Sequence, residues 1–399
     1  MTPIDHEGLR QRIRTIGFDE VRFAQLPDAS VGAGLGAWLE SGYHADMAWL
    51  ARNQDKRENP ELILPGARSL ILLGVNYWSE ERPAAVANAG APRWARYSLY
   101  EDYHDTLRAG LVNVGRLLEE TCGVGADDYR YYVDTGPVLE RGWAARSGMG
   151  FTGKNAMLIS RRHGNWLFLA SIVTRIPLPA DPPIRLRPME GDPLGAQAGL
   201  LCGRCTRCLD ACPTQAFAAP GVVDSRRCVS YQTIENKGLI PRELRAGIGN
   251  RIYGCDVCLE VCPWNRFARE GRRQLLSARE ELRDVSLADL LALTPESFAR
   301  IFRRTPIKRV KLGGILRNAC IVAGNTGDAS YLPALIALAR HALPLVRAHA
   351  VWAVHRLGGG GQLDEARSSE TAPEVCAEYA AEHAEAGGCE VRPAPSAPV

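Results

Sequence analysis

The sequence predicts a multi-domain α+β protein whose middle is organised around metal and whose C-terminal part is all helical. Three observations predict this. Residues 1–175 alternate helix-like and strand-like periodicity, eight of the twelve cysteines crowd between Cys202 and Cys262, and the pattern over 286–357 is helical throughout. A chain of 399 residues has room for roughly two to three domains. A hydrophobic content of 46% can supply each with a core.

In order along the chain, an amphipathic helix is expected near 6–16, a strand at SLILLGVNYW (69–78) and a long helix at about 102–121. A strand at YRYYV (129–133) follows, then a helix from about 138, then two strands joined by the turn signal His163-Gly164-Asn165. Residues 176–197 hold six prolines and little periodicity, and read as an extended surface connection. A cysteine module occupies 198–285 and helices occupy 286–357. There LRNACIVA (316–323) aligns with VRAHAVWA (346–353) at an offset of 30 residues, the period of short HEAT-like repeats. The stretch 358–399, rich in Gly, Ala, Glu and Pro, reads as a mobile tail.

The opening MTPIDHEGLRQRIRTIGFDEVRFA is charged and has no apolar h-region, and no apolar run reaches about eighteen residues. A cytoplasmic protein that does not enter the membrane is expected. A net charge of +3 gives no global attraction to polyanions. In a chain without a secretion signal, clustered cysteines point to metal or redox chemistry rather than disulfides, while Cys122, Cys320, Cys376 and Cys389 are scattered singles.

The cysteine spacing is specific. Cys202-x2-Cys205-x2-Cys208-x3-Cys212-Pro213 is the run of a bacterial [4Fe-4S] ferredoxin, and Cys255-x2-Cys258-x3-Cys262-Pro263 repeats its last three positions, with Cys228 as the missing ligand. In two-cluster ferredoxins the cysteine before the proline ligates the other cluster. One cluster therefore takes Cys202, Cys205, Cys208 and Cys262, and the other takes Cys212, Cys228, Cys255 and Cys258. Two four-cysteine zinc sites are the rival, but zinc does not require the tripled x2 spacing or two Cys-Pro endings.

Clusters move electrons and break no bonds of a substrate, so a further cofactor or partner must receive those electrons. No GxGxxG fingerprint lies between a strand and a helix; GLGAWLESG (34–42) is a poor match. Asp102-Tyr103-His104 begins like the Asp-x-His-x-x-Gly signature that gives cobalamin a histidine ligand, but Leu107 replaces the glycine, and Asp102 reads as a helix cap. Asp134-Thr135-Gly136 resembles an aspartic protease triplet, a reading that explains none of the cysteines. At the end of the apolar YRYYV strand, Asp134 is either a buried acid or the cap of a helix beginning near Pro137.

Most of the chain resembles the epoxyqueuosine reductase family. The matching segments are DKRENP with LPGARSLILLGVNY (55–77), ARYSLYEDYHDTLR (95–108), VDTGPVLERGWAARSGMGFTGKNAMLI (133–159) and LCGRCTRCLDACPTQAF (201–217). CVSYQTIENKGLIP (228–241), IYGCDVCLEVCPWN (252–265) and LRNACIVAGN (316–325) complete them; Thr135 stands where the family often has Ser or Cys. The resemblance implies an oxidoreductase that reduces epoxyqueuosine to queuosine at the wobble position of tRNA. Its cobalamin would have no protein ligand below the cobalt and would lie between a nitroreductase-like α+β domain, here 1–175, and a ferredoxin-like module. It further implies Asp134 as proton donor, with a pKa raised by burial, and Arg57, Tyr97, Lys154 and Asn155 at the corrinoid or substrate. An unidentified low-potential electron donor and a monomeric state are also expected.

An RNA substrate needs a basic surface. Arg303, Arg304, Lys308, Arg309, Lys311 and Arg317 fall within fifteen residues that contain no acid. Lys308, Arg309, Lys311 and Arg317 are expected on phosphates, and Tyr231, Gln232 and Lys237 at a flipped-out wobble nucleotide. The alternatives are a corrinoid-dependent reductive dehalogenase-like enzyme acting on a small molecule and an iron-sulfur electron-transfer adaptor. The first has no use for the basic segment, and the second leaves the first 175 residues idle.

Overall fold

The computed structural model describes residues 5–28, 31–32, 34–80, 91–184, 198–272 and 274–385. The chain divides into two compact units that each draw on several stretches of sequence. Unit 1 comprises Met1–Glu81, Tyr100–Arg226 and Asp256–Ala278; unit 2 comprises Arg82–Leu99, Arg227–Cys255 and Arg279–Val399. The cysteine region is thus shared out between the units, and the linear boundaries expected from sequence do not coincide with them.

Unit 1 opens with α1 (His6–Ile16), started by the Asp5 carboxylate accepting the Gly8 N–H and stopped at Gly17. It is followed by β1 (Glu20–Gln25) and β2 (Ser69–Asn76). Every residue of β2 is buried, which explains its unbroken apolar sequence: this strand is central and covered on both faces. Next come α2 (Tyr103–Cys122), β3 (Tyr129–Tyr132), α3 (Glu140–Arg146), β4 (Phe151–Thr152), β5 (Leu158–Ile159) and β6 (Leu167–Thr174). The main sheet has the order β1-β2-β6-β3 and is antiparallel throughout. Burying Leu107, Leu111, Val114 and Leu118 fixes one stripe of α2 against the unit. Each such side chain contributes about 1.5–3 kcal/mol.

The turn at His163-Gly164-Asn165 joins two strands as expected, although they do not pair with each other: β5 pairs with β4 while β6 joins the main sheet, and a Ser160–Gly164 bridge closes the turn. One expectation is corrected. The proline-rich stretch is not surface throughout, since Ile176 and Leu178 are buried and Asp181 is held by both guanidinium nitrogens of Arg10. Residues 185–197 lie outside the described ones.

In unit 2, α4 (Val229–Ile234) and α5 (Arg242–Ile248) precede α6 (Lys311–Thr326), α7 (Leu332–Leu338), α8 (Pro344–Arg356) and α9 (Pro373–Glu385). A short parallel pairing joins Arg251–Tyr253 to Arg93–Trp94. The 30-residue repeat falls on α6 and α8, which pack against each other through small and branched residues such as Ala319, Ala323, Ala350 and Val354. Packing also overturns the mobile-tail reading as far as residue 385. In α9, Val375 and Tyr379 enter the core, and Glu378 binds Arg245 at 2.6 and 3.0 Å and also Arg242. The remainder, 386–399, lies outside the described residues. Among the described residues no helix is long and apolar enough to cross a membrane.

The Arg245 side chain is only 1% exposed, so removing its partner strands a buried charge. Glu378→Ala is therefore expected to lower unfolding free energy by about 3–5 kcal/mol, measured by chemical denaturation with tryptophan fluorescence.

Candidate active site

Where β3 ends, Val133 is buried and the chain turns at Asp134, whose φ is +55°. Among residues with a Cβ, Asp is one of the few that tolerate this region. Two residues on, a Cβ at Gly136 would lie 2.3 Å from Tyr132 Cγ, so only glycine lets the loop fold back over the strand. Asp134 caps nothing: α3 begins at Glu140, and its N-cap, Leu139, makes no side-chain bond. Neither reading left open by the sequence holds, since the side chain is not the cap of α3 and is not buried.

The Asp134 side chain is 69% exposed and is held from the start of α2. Tyr103 donates its hydroxyl proton to Asp134 Oδ2 at 2.9 Å, and His104 Nε2 lies 3.7 Å from the same oxygen, an ion pair rather than a hydrogen bond. Asp102 caps α2 by accepting the His104 N–H, and its Oδ1 is also 2.7 Å from His104 Nδ1. The Tyr103 ring stacks on Phe168 of β6 with centroids 4.4 Å apart. His104 is thus fixed between two carboxylates. Burial lowers its pKa, but Asp102 and Asp134 outweigh burial and lift it to about 9.

The same contacts correct the expectation for Asp134. Burial raises its pKa, yet His104, Tyr103 and the charge of Arg141 prevail and leave the carboxyl below the ordinary aspartate range. The raised acid is a neighbour that sequence reasoning missed. Burial, with the charge of Asp134 adding to it, lifts Glu140 to about 8 against a hydrogen bond from its own backbone N–H and the charges of Arg57 and Arg141. Arg57, expected in this region, is 6% exposed and donates weakly to the Val138 carbonyl at 3.4 Å. Three solvent-shielded atoms here have no hydrogen-bond partner: Arg57 Nε, His104 Nε2 and Glu140 Oε1. Such orphans are expensive unless a bound molecule satisfies them.

Lys154 and Asn155, expected at a corrinoid, direct their donors to the protein itself. Lys154 Nζ donates to the carbonyls of Gly203 and Cys205 at 2.8 and 3.1 Å, clamping the first cysteine loop. Asn155 is 2% exposed and donates to Asn165 and the Cys258 carbonyl. Between these anchors, Cys202, Cys205, Cys208 and Cys262 come together within unit 1. Burial and the neighbouring thiols Cys202, Cys262 and Cys205 push Cys208 up to about 11, and Cys202 shifts upward for the same reasons, largely burial. Yet among the described residues no three His, Cys, Asp or Glu side chains converge on a single ion. Of the second set, Cys212 and Cys258 belong to unit 1, and Cys228 and Cys255 to unit 2.

Unit 2 redistributes the residues expected at RNA. Arg303, Arg304, Lys308, Arg309 and Lys311 are exposed. Arg309 pairs with Glu235, an acid contributed from outside the basic run, at 2.6 and 3.1 Å. Arg317 is fully buried and bonds the carbonyls of Gln232, Asn236 and Gly238, so it is corrected from an RNA contact to a core brace. Tyr231 and Gln232 are likewise buried, at 7% and 3% exposure, because α4 turns them into the core. Lys237 is exposed but donates to the carbonyls of Ile234 and Arg309. Tyr97 is half-buried beside Tyr253, and core packing accounts for its position without a ligand.

The chain is similar to proteins of known family. A family model described as a 4Fe-4S double cluster binding domain matches residues 201–265, and one described as Epoxyqueuosine reductase QueG matches residues 57–135. The epoxyqueuosine reductase of Pseudomonas aeruginosa is 38% identical over 367 residues, covering 90% of this chain and 97% of that protein. That of Escherichia coli K12 is 35% identical over 359 residues, covering 88% and 90%. An epoxyqueuosine reductase crystallised with an epoxyqueuosine-modified tRNA-Tyr stem loop superposes with a TM-score of 0.83 at 30% identity, covering 94% of this chain and 97% of that one. A Bacillus subtilis epoxyqueuosine reductase, captured with its catalytic aspartate loop swung out of the active site, gives 0.79 at 30% identity with the same coverage. The chain belongs to the epoxyqueuosine reductase family, a family of oxidoreductases.

Proposed function

We propose that this protein reduces epoxyqueuosine to queuosine at the wobble position of tRNA, with Asp134 delivering a proton to the epoxide oxygen. The observation that carries the reading is the Asp134 carboxyl itself: accessible, set on a positive-φ turn, and tied to a histidine that stays protonated at neutral pH. As charge develops on the departing oxygen, a positioned acid contributes roughly 10²- to 10⁴-fold in rate. Because Asp134 is ionised at neutrality, His104 is its proton reservoir, with Nε2 aimed at the same Oδ2 and Tyr103 holding that oxygen in place.

The electrons come from two [4Fe-4S] clusters, one on Cys202, Cys205, Cys208 and Cys262 and the other on Cys212, Cys228, Cys255 and Cys258. Cobalamin, held by residues around Asp134, would supply low-potential reducing equivalents for the epoxide. The residues around Asp134 fit such a polar, amide-bearing group, since Arg57 Nε and Glu140 Oε1 are buried donors and acceptors in need of partners. A nitroreductase-like reading of residues 1–175 is supported by the four-stranded antiparallel sheet, and a HEAT-like reading of 286–357 by the packed pair α6 and α8 at its 30-residue repeat. For tRNA we retain the exposed residues Lys308, Arg309 and Lys311, with Lys237 beside them. A separate low-potential donor reduces the clusters, and the protein works as a cytoplasmic monomer.

Anaerobic reconstitution with iron, sulfide and cobalamin, followed by mass spectrometry of epoxyqueuosine-bearing tRNA, tests the activity; unchanged nucleoside would sink it. Asp134→Asn should keep both clusters and tRNA affinity while turnover drops by about 10²- to 10⁴-fold. Replacing Lys308, Arg309 and Lys311 together by Ala should weaken tRNA binding and reduce the salt slope by about one unit for every phosphate no longer neutralised. An unchanged slope would move the RNA surface elsewhere.

His104 also sets a stability signature. Its pKa rises from 6.5 unfolded to about 9 folded, so its ion pairs stabilise fully below 6.5 and are lost as pH climbs through 9. The Tm advantage of wild type over His104→Gln should therefore be largest at or below about pH 6 and shrink as pH rises from 7 to 10, as followed by differential scanning fluorimetry.

A further inference from the structure

Converting an epoxide to an alkene breaks both carbon–oxygen bonds. Two electrons enter, two protons are consumed, and the oxygen leaves as water. The first proton goes to the oxygen as the ring opens; the second goes to the resulting hydroxyl as its remaining carbon bond breaks. Asp134 with His104 accounts for the first. A second acid is required close by, and it must hold its proton at the pH at which Asp134 does not.

We propose that Glu140 is this second acid, a catalytic residue that protonates the departing hydroxyl; the inference rests on the epoxide-reducing reading above, whose clusters supply both electrons. Glu140 follows the Asp134 loop at the first position of α3. Its Oε1 is shielded from solvent and bonded to nothing, and the same holds for Arg57 Nε. In an ordinary interior a shielded arginine and a shielded glutamate would pair, because each is costly alone. Here, among the described residues, they form no ion pair although each feels the charge of the other. A neutral carboxylic acid beside a charged guanidinium accounts for the missing ion pair: the acid keeps its proton, the arginine keeps its charge, and the two unbonded atoms stay open to a bound molecule.

The electrostatics run the same way. Burial and the Asp134 carboxylate hold Glu140 up near 8, while Asp134 itself is held down by His104 and Tyr103. Two carboxyls driven apart by their surroundings are the arrangement that lets one site carry two proton-transfer roles. Elsewhere in the chain the buried Glu378 carboxylate closes on Arg245 instead.

Glu140→Gln preserves the shape and removes the proton. The expected result is retained clusters, cobalamin absorbance and tRNA affinity, with turnover lowered by roughly 10²- to 10⁴-fold and partly rescued in Glu140→Asp. Difference infrared spectroscopy of the reconstituted protein supplies a readout independent of activity. Wild type should show a protonated carboxyl carbonyl band that titrates away near pH 8 and is missing in Glu140→Gln. In Asp134→Asn the band should persist with a lower midpoint, because the charge that raises it is gone. Wild-type turnover in Glu140→Gln, or no such band in the wild-type titration, overturns the assignment; should Glu140→Gln not fold, the wild-type titration alone decides. A wild-type enzyme that leaves epoxyqueuosine unreduced overturns the functional reading instead, and the two failures are therefore distinct.

Discussion

The chemistry of this site depends on one imidazolium held between two carboxylates. His104 is gripped by Asp102 at 2.7 Å and faces Asp134 at 3.7 Å, and its positive charge keeps the Asp134 carboxyl below the ordinary aspartate range. It favours the ionised form of Asp134, while Glu140 is held up first by burial and then by the Asp134 charge. The position of the imidazolium is set by α2, whose first turn carries it and whose apolar stripe is locked into unit 1 over the turns that follow. The acid sits on a loop, while its partners sit on a helix. Rigid elements place charge more accurately than loops do, so the helix defines the geometry to which the loop must conform.

Much of this is legible in the sequence, and the missing part has a physical cause. The long regular elements, α1, β2 and α2, follow from periodicity and caps, since burial of one face or both leaves a pattern that local reading detects. The cysteine spacing groups Cys202, Cys205, Cys208 and Cys262, whose mutual influence the structure displays. Asp102-Tyr103-His104 reads as a helix start, which it is; its second role is invisible because Asp134 lies 31 residues beyond Tyr103 and meets it only through the fold. Glu140 leaves no signal at all. A glutamate in the first turn of a helix is commonplace, and only tertiary burial makes it unusual.

The raised thiols of the first cysteine set have a consequence for assembly. Cys208, near 11, is protonated at neutral pH, so a metal bound there would have to displace that proton. What resists ionisation is burial first and the neighbouring thiols second. Lys154 acts here through the backbone: its ammonium binds the Gly203 and Cys205 carbonyls and places a positive charge beside Cys202, whose ionisation it favours. A residue that reads as a cofactor ligand in the sequence therefore serves the loop that carries the cluster.

Arg317 shows why a segment can be highly recognisable without touching a substrate. Its guanidinium bonds the carbonyls of Gln232, Asn236 and Gly238, Asn318 bonds those of Thr233 and Ile252, and Asn325 bonds those of Arg245 and Gly249. These carbonyls lie in short helices and turns too brief to satisfy them internally. An all-apolar α6 would leave them buried and unsatisfied, at about 1–3 kcal/mol each. The polar residues of LRNACIVAGN are therefore dictated by the backbone around Cys228 and Cys255. A long buried helix with three inward-facing polar side chains is what lets irregular cysteine-bearing loops exist inside a packed unit, and a basic residue in such a helix is read wrongly if its charge is considered before its burial.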